Sequence, residues 1–577
     1  MYTYGPSAFP PSVFDVPYTI DPTASVGLSA APQNGSWRVV GNSGSVPVHA
    51  LPFENELVLF MQRGNNANGT GYDPDLVVDN GTETEMGAIY NMTDNTFRPF
   101  HIREHPFCSG QALLPNGQGV VVGGDPINLN GEFLTSGIQA IRVFDPNNQT
   151  IKLVNNMERG RWYPTVSVMG DGNLLIVGGL QQEGGGWVGN KNPSSSMHPM
   201  VTCSPNAGGS VADPTYDNPT FQIMNTSDYS LSPQLTLTIL LESWPQNSYP
   251  FLVPLPQGSV LIVAGALMDV LFFTPGGAYR DNTTGPMPAL PVPVNYPSSG
   301  AITLMDLVGP DYKPTVLIQG GNAEYCANAM SPGGSKSWIF DVSPGGNHTL
   351  IEETTAFPRV MGELTLLPDG RALLCNGAQI GTAGGAGPAL AAGTLGATAA
   401  EMYDPTKPIG QRWSTVADSM IWRLYHSEAF LTSNAEIFVS GSDTTSEHRV
   451  QIYTPDYLHT SKPRPVIASV NQTEIGYSQN FTIKFANVTS LDRVVLNRLV
   501  GSTHGVHTDQ RQIVLDCTVN GSLATCSTPP NNYIAPPGVY YLFVLNEGVP
   551  SRAKYMTLQL DGIMPLMPSM PSVATAG

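Results

Sequence analysis

Hydrophobic residues in this chain come in short runs of about five, each opened by a polar turn and closed by glycine. Seven copies recur: Glu54-Asn-Glu-Leu-Val-Leu-Phe-Met-Gln-Arg-Gly64, Leu114-Pro-Asn-Gly-Gln-Gly-Val-Val-Val-Gly-Gly124, Gly170-Asp-Gly-Asn-Leu-Leu-Ile-Val-Gly-Gly179, Leu255-Pro-Gln-Gly-Ser-Val-Leu-Ile-Val-Ala-Gly265, Lys313-Pro-Thr-Val-Leu-Ile-Gln-Gly-Gly321, Leu367-Pro-Asp-Gly-Arg-Ala-Leu-Leu-Cys-Asn-Gly377 and Thr432-Ser-Asn-Ala-Glu-Ile-Phe-Val-Ser-Gly441. The spacing is mostly 55 to 65 residues, with one gap of 86, from Gly179 to Gly265, that holds an insertion around 181–220. Apolar runs this short between Gly, Pro and Asn turns predict strands, and no substantial helix is expected. Several copies lead into a second strand that ends in a turn, at Asp145, Asp341, Asp404 and Thr454. Self-similarity at this period is the mark of a repeat architecture.

Strand, Gly-Gly, strand and Asp-Pro turn at this period resemble kelch blades. Seven copies predict a seven-bladed β-propeller over residues 51–461. The physical reason is closure: each small sheet buries its faces on its neighbours, and the ring leaves no long free edge. Residues 1–50 are rich in Pro, Ser and Gly and hold one strand candidate, Ser36-Trp-Arg-Val-Val, expected to close the last blade. After Tyr453-Thr-Pro the rhythm changes, and Lys462-Pro-Arg-Pro reads as a linker. The alternating segments from Asn480, Arg493, Arg511 and Gly538 predict an immunoglobulin-like β-sandwich over residues 462–565. Residues 566–577 are expected to be a disordered tail. The fold class is all-β.

Composition narrows the partners. Only 12% of the 577 residues are charged, about half the usual share, while 41% are hydrophobic. A formal charge of −19 argues against nucleic acid, whose phosphates need a basic face, and against an anionic membrane surface. No run of 18 apolar residues predicts a transmembrane span. The first residues, Met-Tyr-Thr-Tyr-Gly-Pro, do not read as a signal peptide, so the protein is either cytosolic or has had its leader removed. Asn-x-Ser/Thr sequons at Asn34, Asn68, Asn80, Asn91, Asn148, Asn225, Asn282, Asn347, Asn471, Asn480, Asn487 and Asn520 favour a secreted glycoprotein. Six cysteines are too few for a disulfide scaffold. Cys517 and Cys526 flank a hairpin signal where a local disulfide is geometrically easy, whereas Cys203, Cys326 and Cys375 cannot be paired from sequence.

Propellers gather loop residues from distant blades at one end of a central channel. Four segments carry candidate chemistry: His-Pro-Phe-Cys108-Ser-Gly, Arg-Gly-Arg-Trp-Tyr163-Pro, Leu-Tyr425-His426-Ser and Thr-His504-Gly-Val-His507-Thr-Asp-Gln-Arg. Imidazole and phenolate together select Cu(II) over Mg, Ca or structural Zn. Tyr425 and His426 are adjacent, and neighbours in a strand point to opposite faces. Both can reach one metal only if the backbone turns between them or one approaches axially. Most buried histidines are hydrogen-bonded core residues, and composition alone does not choose among the ten here.

These segments resemble those of the copper radical oxidases, the glyoxal oxidase and galactose oxidase family. The resemblance implies one copper held by Tyr163, Tyr425, His426 and His504, with Cys108 joined to Tyr163 by a thioether. The five-residue step from His504 to Asp509-Gln-Arg, shared with the family, favours His504 over His507. Asn218-Pro-Thr-Phe, Asn247-Ser-Tyr-Pro-Phe, Pro358-Arg-Val-Met-Gly-Glu and Pro455-Asp-Tyr-Leu resemble the glyoxal oxidase branch. One departure stands out. The stacking Trp of galactose oxidase follows the Gly-Gly of the cross-linked tyrosine's blade. Here that place reads Leu180-Gln181-Gln-Glu-Gly-Gly-Gly-Trp187, which makes Trp187 the candidate for covering the site.

The resemblance further implies an extracellular enzyme. Tyr163 would be the radical and hydrogen-atom acceptor, and Tyr425 the general base. Small aldehydes such as glyoxal and methylglyoxal would become carboxylic acids while O₂ becomes hydrogen peroxide, which peroxide-using enzymes would consume. A monomer is expected. An alcohol or galactose oxidase on the same centre is the alternative within the class. A kelch propeller that only binds a ligand is the alternative outside it.

Overall fold

The computed structural model describes residues 34–62, 85–126, 135–181, 216–322, 331–381, 383, 394–442 and 447–560. Among the described residues seven antiparallel four-stranded units follow one another along the chain, the first extended to six strands by a hairpin from further along the chain. Their innermost strands are His49–Pro52, Gly110–Leu113, Thr165–Val168, Phe251–Pro254, Gly300–Leu304, Glu363–Leu366 and Ser427–Leu431, which define blades one to seven. These strands are buried throughout, as are second strands such as Leu174–Val177 and Val260–Ala264, because neighbouring blades cover both faces. Outer strands such as Thr150–Asn156 face solvent and carry polar residues.

The ring closes as the sequence predicts. Ser36–Asn42 supplies the fourth strand of blade seven, pairing Ser36 with Thr454 and Trp37 with Tyr453. Trp37 Nε1 donates to Ala417 O of blade six at 2.9 Å, tying the closing strand to the adjacent sheet. The propeller thus begins and ends within one sheet.

The Gly-Gly breaks have a steric cause. At Gly123 φ is +74°, and a Cβ there would lie 2.1 Å from Arg161 O, in the loop entering the next blade. At Gly321 φ is +88°, and a Cβ would lie 2.4 Å from Pro293 O. A buried arginine answers the carbonyls at such turns. Arg161 Nη1 donates to Gly178 O at 2.7 Å, Arg359 Nη1 to Asn376 O at 2.6 Å, and Arg423 Nη1 to Gly441 O at 2.9 Å. Each guanidinium satisfies backbone oxygens that a buried turn would otherwise leave unpaired.

Beyond the ring, Val466–Val470, Asn480–Ala486, Leu523–Ser527 and Cys517–Asn520 form one sheet. Leu491–Arg498, Gln512–Val514, Gly538–Asn546 and Lys554–Leu558 belong to a second. Phe481, Ile483, Leu496, Leu542, Val544 and Met556 lie in one buried cluster shared by the two sheets. Cys517 and Cys526 stand directly opposite each other and are disulfide-bonded. Leu307–Val308, between strands of blade five, adds to the second sheet in parallel beside Gln512–Val514, so propeller and sandwich share a sheet. Among the described residues the α-helix is the six-residue Thr238–Ser243, and no helix is long and apolar enough to cross a membrane. Cys375 is a buried free thiol whose pKa burial pushes up to about 12. The expected tail, Trp187, Cys203, Cys326 and the sequons at Asn68 and Asn80 lie outside the described residues.

Gly123→Ala combines left-handed backbone with a clash against a carbonyl, and should cost about 3 kcal/mol in chemical denaturation. Asp217, bridged to Leu180 in blade three, has its carboxyl pushed up to about 7 by burial, against the hydrogen bond from Asn247 Nδ2 at 3.0 Å. A folded-state pKa above the unfolded value contributes stability that is present below about pH 4 and lost as pH rises through about 7. Asp217→Asn should therefore flatten the decline in stability between pH 4 and 7, and gain about 2 kcal/mol over wild type at pH 8. Urea denaturation at the three pH values checks this.

Candidate metal centre

The same register recurs at the entrance to the inner strands. Cys108, Tyr163, Tyr249, Met361 and Tyr425 each stand two residues before the inner strand of their blade. The chain must turn sharply there from the loop into the strand. It does so with left-handed backbone: φ is 56° at Cys108, 64° at Tyr163, 48° at Tyr249 and 64° at Met361. In blade seven the turn falls on His426, φ 57°, which is the backbone turn that lets Tyr425 and His426 reach one point. Such conformations cost bulky residues about 1–3 kcal/mol each and concentrate at functional sites. Successive loops are bonded around the axis: Tyr163 N donates to Cys108 O at 2.8 Å, Tyr249 N to Tyr163 O at 2.9 Å, and Met361 N to Ser299 O at 2.8 Å.

The second sheet of the sandwich sends a hairpin, Ser502–Thr503 and Val506–His507, into the ring. It pairs with the inner strand of blade one, His49 with Thr503 and Ala50 with Ser502, which covers that strand's edge. His504 sits at the tip with φ 52°. Its Nε2 lies 3.0 Å from His426 Nε2, 3.4 Å from Cys108 Sγ and 3.5 Å from the Tyr425 hydroxyl. The Tyr163 ring stands edge-on to the His504 ring at 5.8 Å. All five sequence-predicted residues therefore converge, and all are buried.

His507 points away. Its Nε2 is 2.9 Å from Glu363 Oε2 and 2.7 Å from Ala429 O, in a fully buried pair. Burial opposes its charge, and the Glu363 carboxylate outweighs burial to hold its pKa above the usual histidine value. Ser502 Oγ donates to Glu428 Oε2 at 2.5 Å and lies 3.1 Å from Glu363 Oε2, while Gly505 N donates to Glu363 Oε1 at 3.2 Å. The Asp509-Gln-Arg motif also has a structural reason. Asp509 accepts from Ser167 Oγ and Val168 N of blade three, Gln510 Nε2 donates to Thr303 Oγ1 of blade five and Leu364 O of blade six, and Arg511 donates to Pro254 O of blade four. One tripeptide thus fixes the hairpin against four blades.

The donors suit a metal ion. Nitrogens in cis positions on one ion at ~2.0 Å stand about 2.9 Å apart, close to the His426–His504 separation. Thr503 Oγ1, 2.7 Å from His504 Nδ1, orients the ring with Nε2 toward the centre. Burial, then Cys108, then Tyr296 and Tyr425 lift the Tyr163 pKa well above 10, so a phenolate there requires a cation beside it. Two imidazoles and two phenols are a copper set.

Two tyrosines at this centre escaped the reading of the sequence. Tyr249 lies 4.7 Å from the His504 ring and donates to Ser109 O at 2.9 Å. Tyr296 stacks on Tyr163 at 4.7 Å. Their signal was Tyr-Pro at the mouth of successive blades, in Tyr163-Pro164, Tyr249-Pro250 and Tyr296-Pro297. His49 is a third histidine nearby, fully buried, with its ring 6.0 Å from His504. Burial, then His426 and Arg142, hold its pKa well below 6.5.

Propeller, sandwich and hairpin together form a buried site whose donors could hold a metal ion. The family description Glyoxal oxidase N-terminus matches residues 218–460, which include Tyr425 and His426. Galactose oxidase-like, Early set domain matches residues 464–558, which include His504. An aldehyde oxidase GLOX of Vitis pseudoreticulata is 27% identical over 93% of this chain and 99% of its own length. A galactose oxidase of Gibberella zeae is 23% identical over 92% of this chain and 71% of its own. A WSC domain-containing protein of Arthroderma benhamiae is 29% identical over 81% of this chain, which spans 47% of that protein's length. A solved fungal alcohol oxidase in complex with copper has the same fold, with a TM-score of 0.68 and 20% identity, over 91% of this chain and 100% of its own. The chain is thus similar to glyoxal and galactose oxidases over most of its length, and two of their family descriptions match it in succession.

The two hairpin histidines should separate in one experiment. His504→Ala should lose copper, measured by metal analysis after dialysis, with little change in melting temperature. His507→Ala should keep copper yet cost about 3–5 kcal/mol, because Glu363 is left buried without its partner.

Proposed function

We propose that this protein oxidises small aldehydes, glyoxal and methylglyoxal among them, to carboxylic acids and reduces O₂ to hydrogen peroxide. The observation that carries this reading is the convergence of Cys108, Tyr163, Tyr425, His426 and His504 on the propeller axis, centred on the 3.0 Å approach of His426 to His504. Copper held by Tyr163, Tyr425, His426 and His504 would supply one oxidising equivalent and a Lewis-acid seat for the substrate oxygen. Tyr163, joined to Cys108 by a thioether, supplies the second equivalent as a radical. The aldehyde reacts as its hydrate. Tyr425 takes the hydroxyl proton, and Tyr163 takes the hydrogen atom from carbon. Aldehyde, water and O₂ thus give acid and hydrogen peroxide.

Similarity over nearly the full length of an aldehyde oxidase GLOX favours aldehydes. The galactose oxidase relative keeps a second reading open, an alcohol or galactose oxidase on the same centre. A purely ligand-binding propeller has no use for five converging redox and ligand groups in a dry site. We also place the protein outside the cell, as a monomer. In support of secretion, no sequon asparagine among the described residues is buried, and a disulfide closes the Cys517–Cys526 hairpin.

Copper-loaded protein should release peroxide with methylglyoxal faster than with galactose or benzyl alcohol. Clear preference for either alcohol moves it to the second reading, and no peroxide from any of them defeats both. Tyr425→Phe should keep copper and lower kcat by about 10²–10⁴, the span of a lost general base. Peptide mapping should recover the Cys108 and Tyr163 peptides joined, lighter by two hydrogens. Both recovered free from active enzyme would exclude the thioether.

A further inference from the structure

Among the described residues, one ring beside Tyr163 differs in geometry from those of Tyr249, His504 and Trp162. Tyr249 and His504 meet it edge-on, at 90° and 85°. Trp162, the preceding residue, is tilted by 37° at 4.7 Å. Tyr296 alone among these is stacked, at 4.7 Å and 16°. Its hydroxyl also accepts from the Tyr425 hydroxyl at 3.3 Å. Tyr296 is therefore in contact with both tyrosines of the centre.

The loop that carries it is stiff. Gly300 N donates to Val294 O at 2.7 Å and Ser299 N to Asn295 O at 3.0 Å. Asn295 Nδ2 donates to Tyr249 O at 2.8 Å, which ties this loop to the entrance of blade four. Tyr296 itself is buried, so its ring is held in one place.

We infer that Tyr296 is the residue that stabilises the oxidised form of Tyr163 and orients the hydroxyl of Tyr425. The inference rests on the copper-radical reading of the site. Removing an electron leaves the Tyr163 ring electron-poor in a place water does not reach. A phenol stacked against it is polarisable and electron-rich, and lowers the energy of the oxidised ring more than that of the reduced one. The hydroxyl of Tyr296 does separate work, as a fixed acceptor that sets the direction of the Tyr425 O–H.

The test is a redox titration of copper-loaded protein with the hexacyanoferrate couple, read by the radical's optical band. One electron leaves the Tyr163 phenolate and reduces hexacyanoferrate(III) to hexacyanoferrate(II). Tyr296→Leu should lower the ratio of radical to reduced protein about tenfold at fixed potential, about 59 mV for one electron. Tyr296→Phe keeps the stack and should stay within about twofold of wild type, less than about 18 mV, while its kcat falls at unchanged KM. Should Tyr296→Leu fail to hold copper, Tyr296→Met gives the same reading. A Leu or Met variant that titrates like wild type overturns the inference. So does Trp162→Phe shifting the titration more than Tyr296→Leu. A wild-type protein that binds copper and shows no radical band overturns the copper-radical reading itself, which separates that failure from this one.

Discussion

The seating of one short hairpin, Ser502–His507, in the axis of the ring is the contact on which the site depends. Its tip carries His504, and nothing in the propeller sequence replaces that ligand position. The seat is built from buried ions and hydrogen bonds rather than from apolar packing alone. Glu363 and Glu428 come from different blades, and both lie within reach of Ser502, while Glu363 pairs with His507. Burial, then the neighbouring Glu363, pushes Glu428 above the usual carboxylate range. Such groups are expensive to desolvate and are stable only when every partner is in place. A hairpin shifted by one residue would leave several of them unpaired, so the same interactions that cost desolvation fix the register of His504.

The second constraint is the left-handed turn at the mouth of blades two, three, four, six and seven. In blades two, three, four and six it falls two residues before the inner strand, and in blade seven one residue before it, on His426. Two residues before the inner strand stand Cys108, Tyr163, Tyr249 and Tyr425 in four blades, and Met361 in blade six. The ring is thus a template that needs only the right residue at a repeated register to assemble a centre. Buried arginines two residues upstream, at Arg161, Arg359 and Arg423, hold these turns by answering the carbonyls of the Gly-Gly break. The repeat that builds the fold and the repeat that builds the site are the same repeat.

The chain is similar both to a relative named for aldehydes and to one named for galactose. Tyr249, Tyr296 and Met361 each enter from a blade that carries no proposed ligand, which puts them around the proposed ligands rather than among them.

The propeller and its blade number were legible in the sequence because their cause is local. At turns such as Gly123, Gly321 and Gly441 a backbone carbonyl stands where a Cβ would lie, so glycine recurs along the chain and the period can be read directly. The Cys517–Cys526 hairpin was legible because its cause is local too. Cys108, Tyr163, Tyr425, His426 and His504 were visible as motifs, each in a distinctive local context. What joins them was not. Tyr296 stacks on Tyr163 only because blades three and five are brought around one axis, and no local pattern records that distance. His504 and His507 are three residues apart on one hairpin, and spacing alone leaves both as candidates. The ring decides between them, because the hairpin tip faces His426 while the returning strand faces Glu363, and only the closed fold puts those two partners on opposite sides.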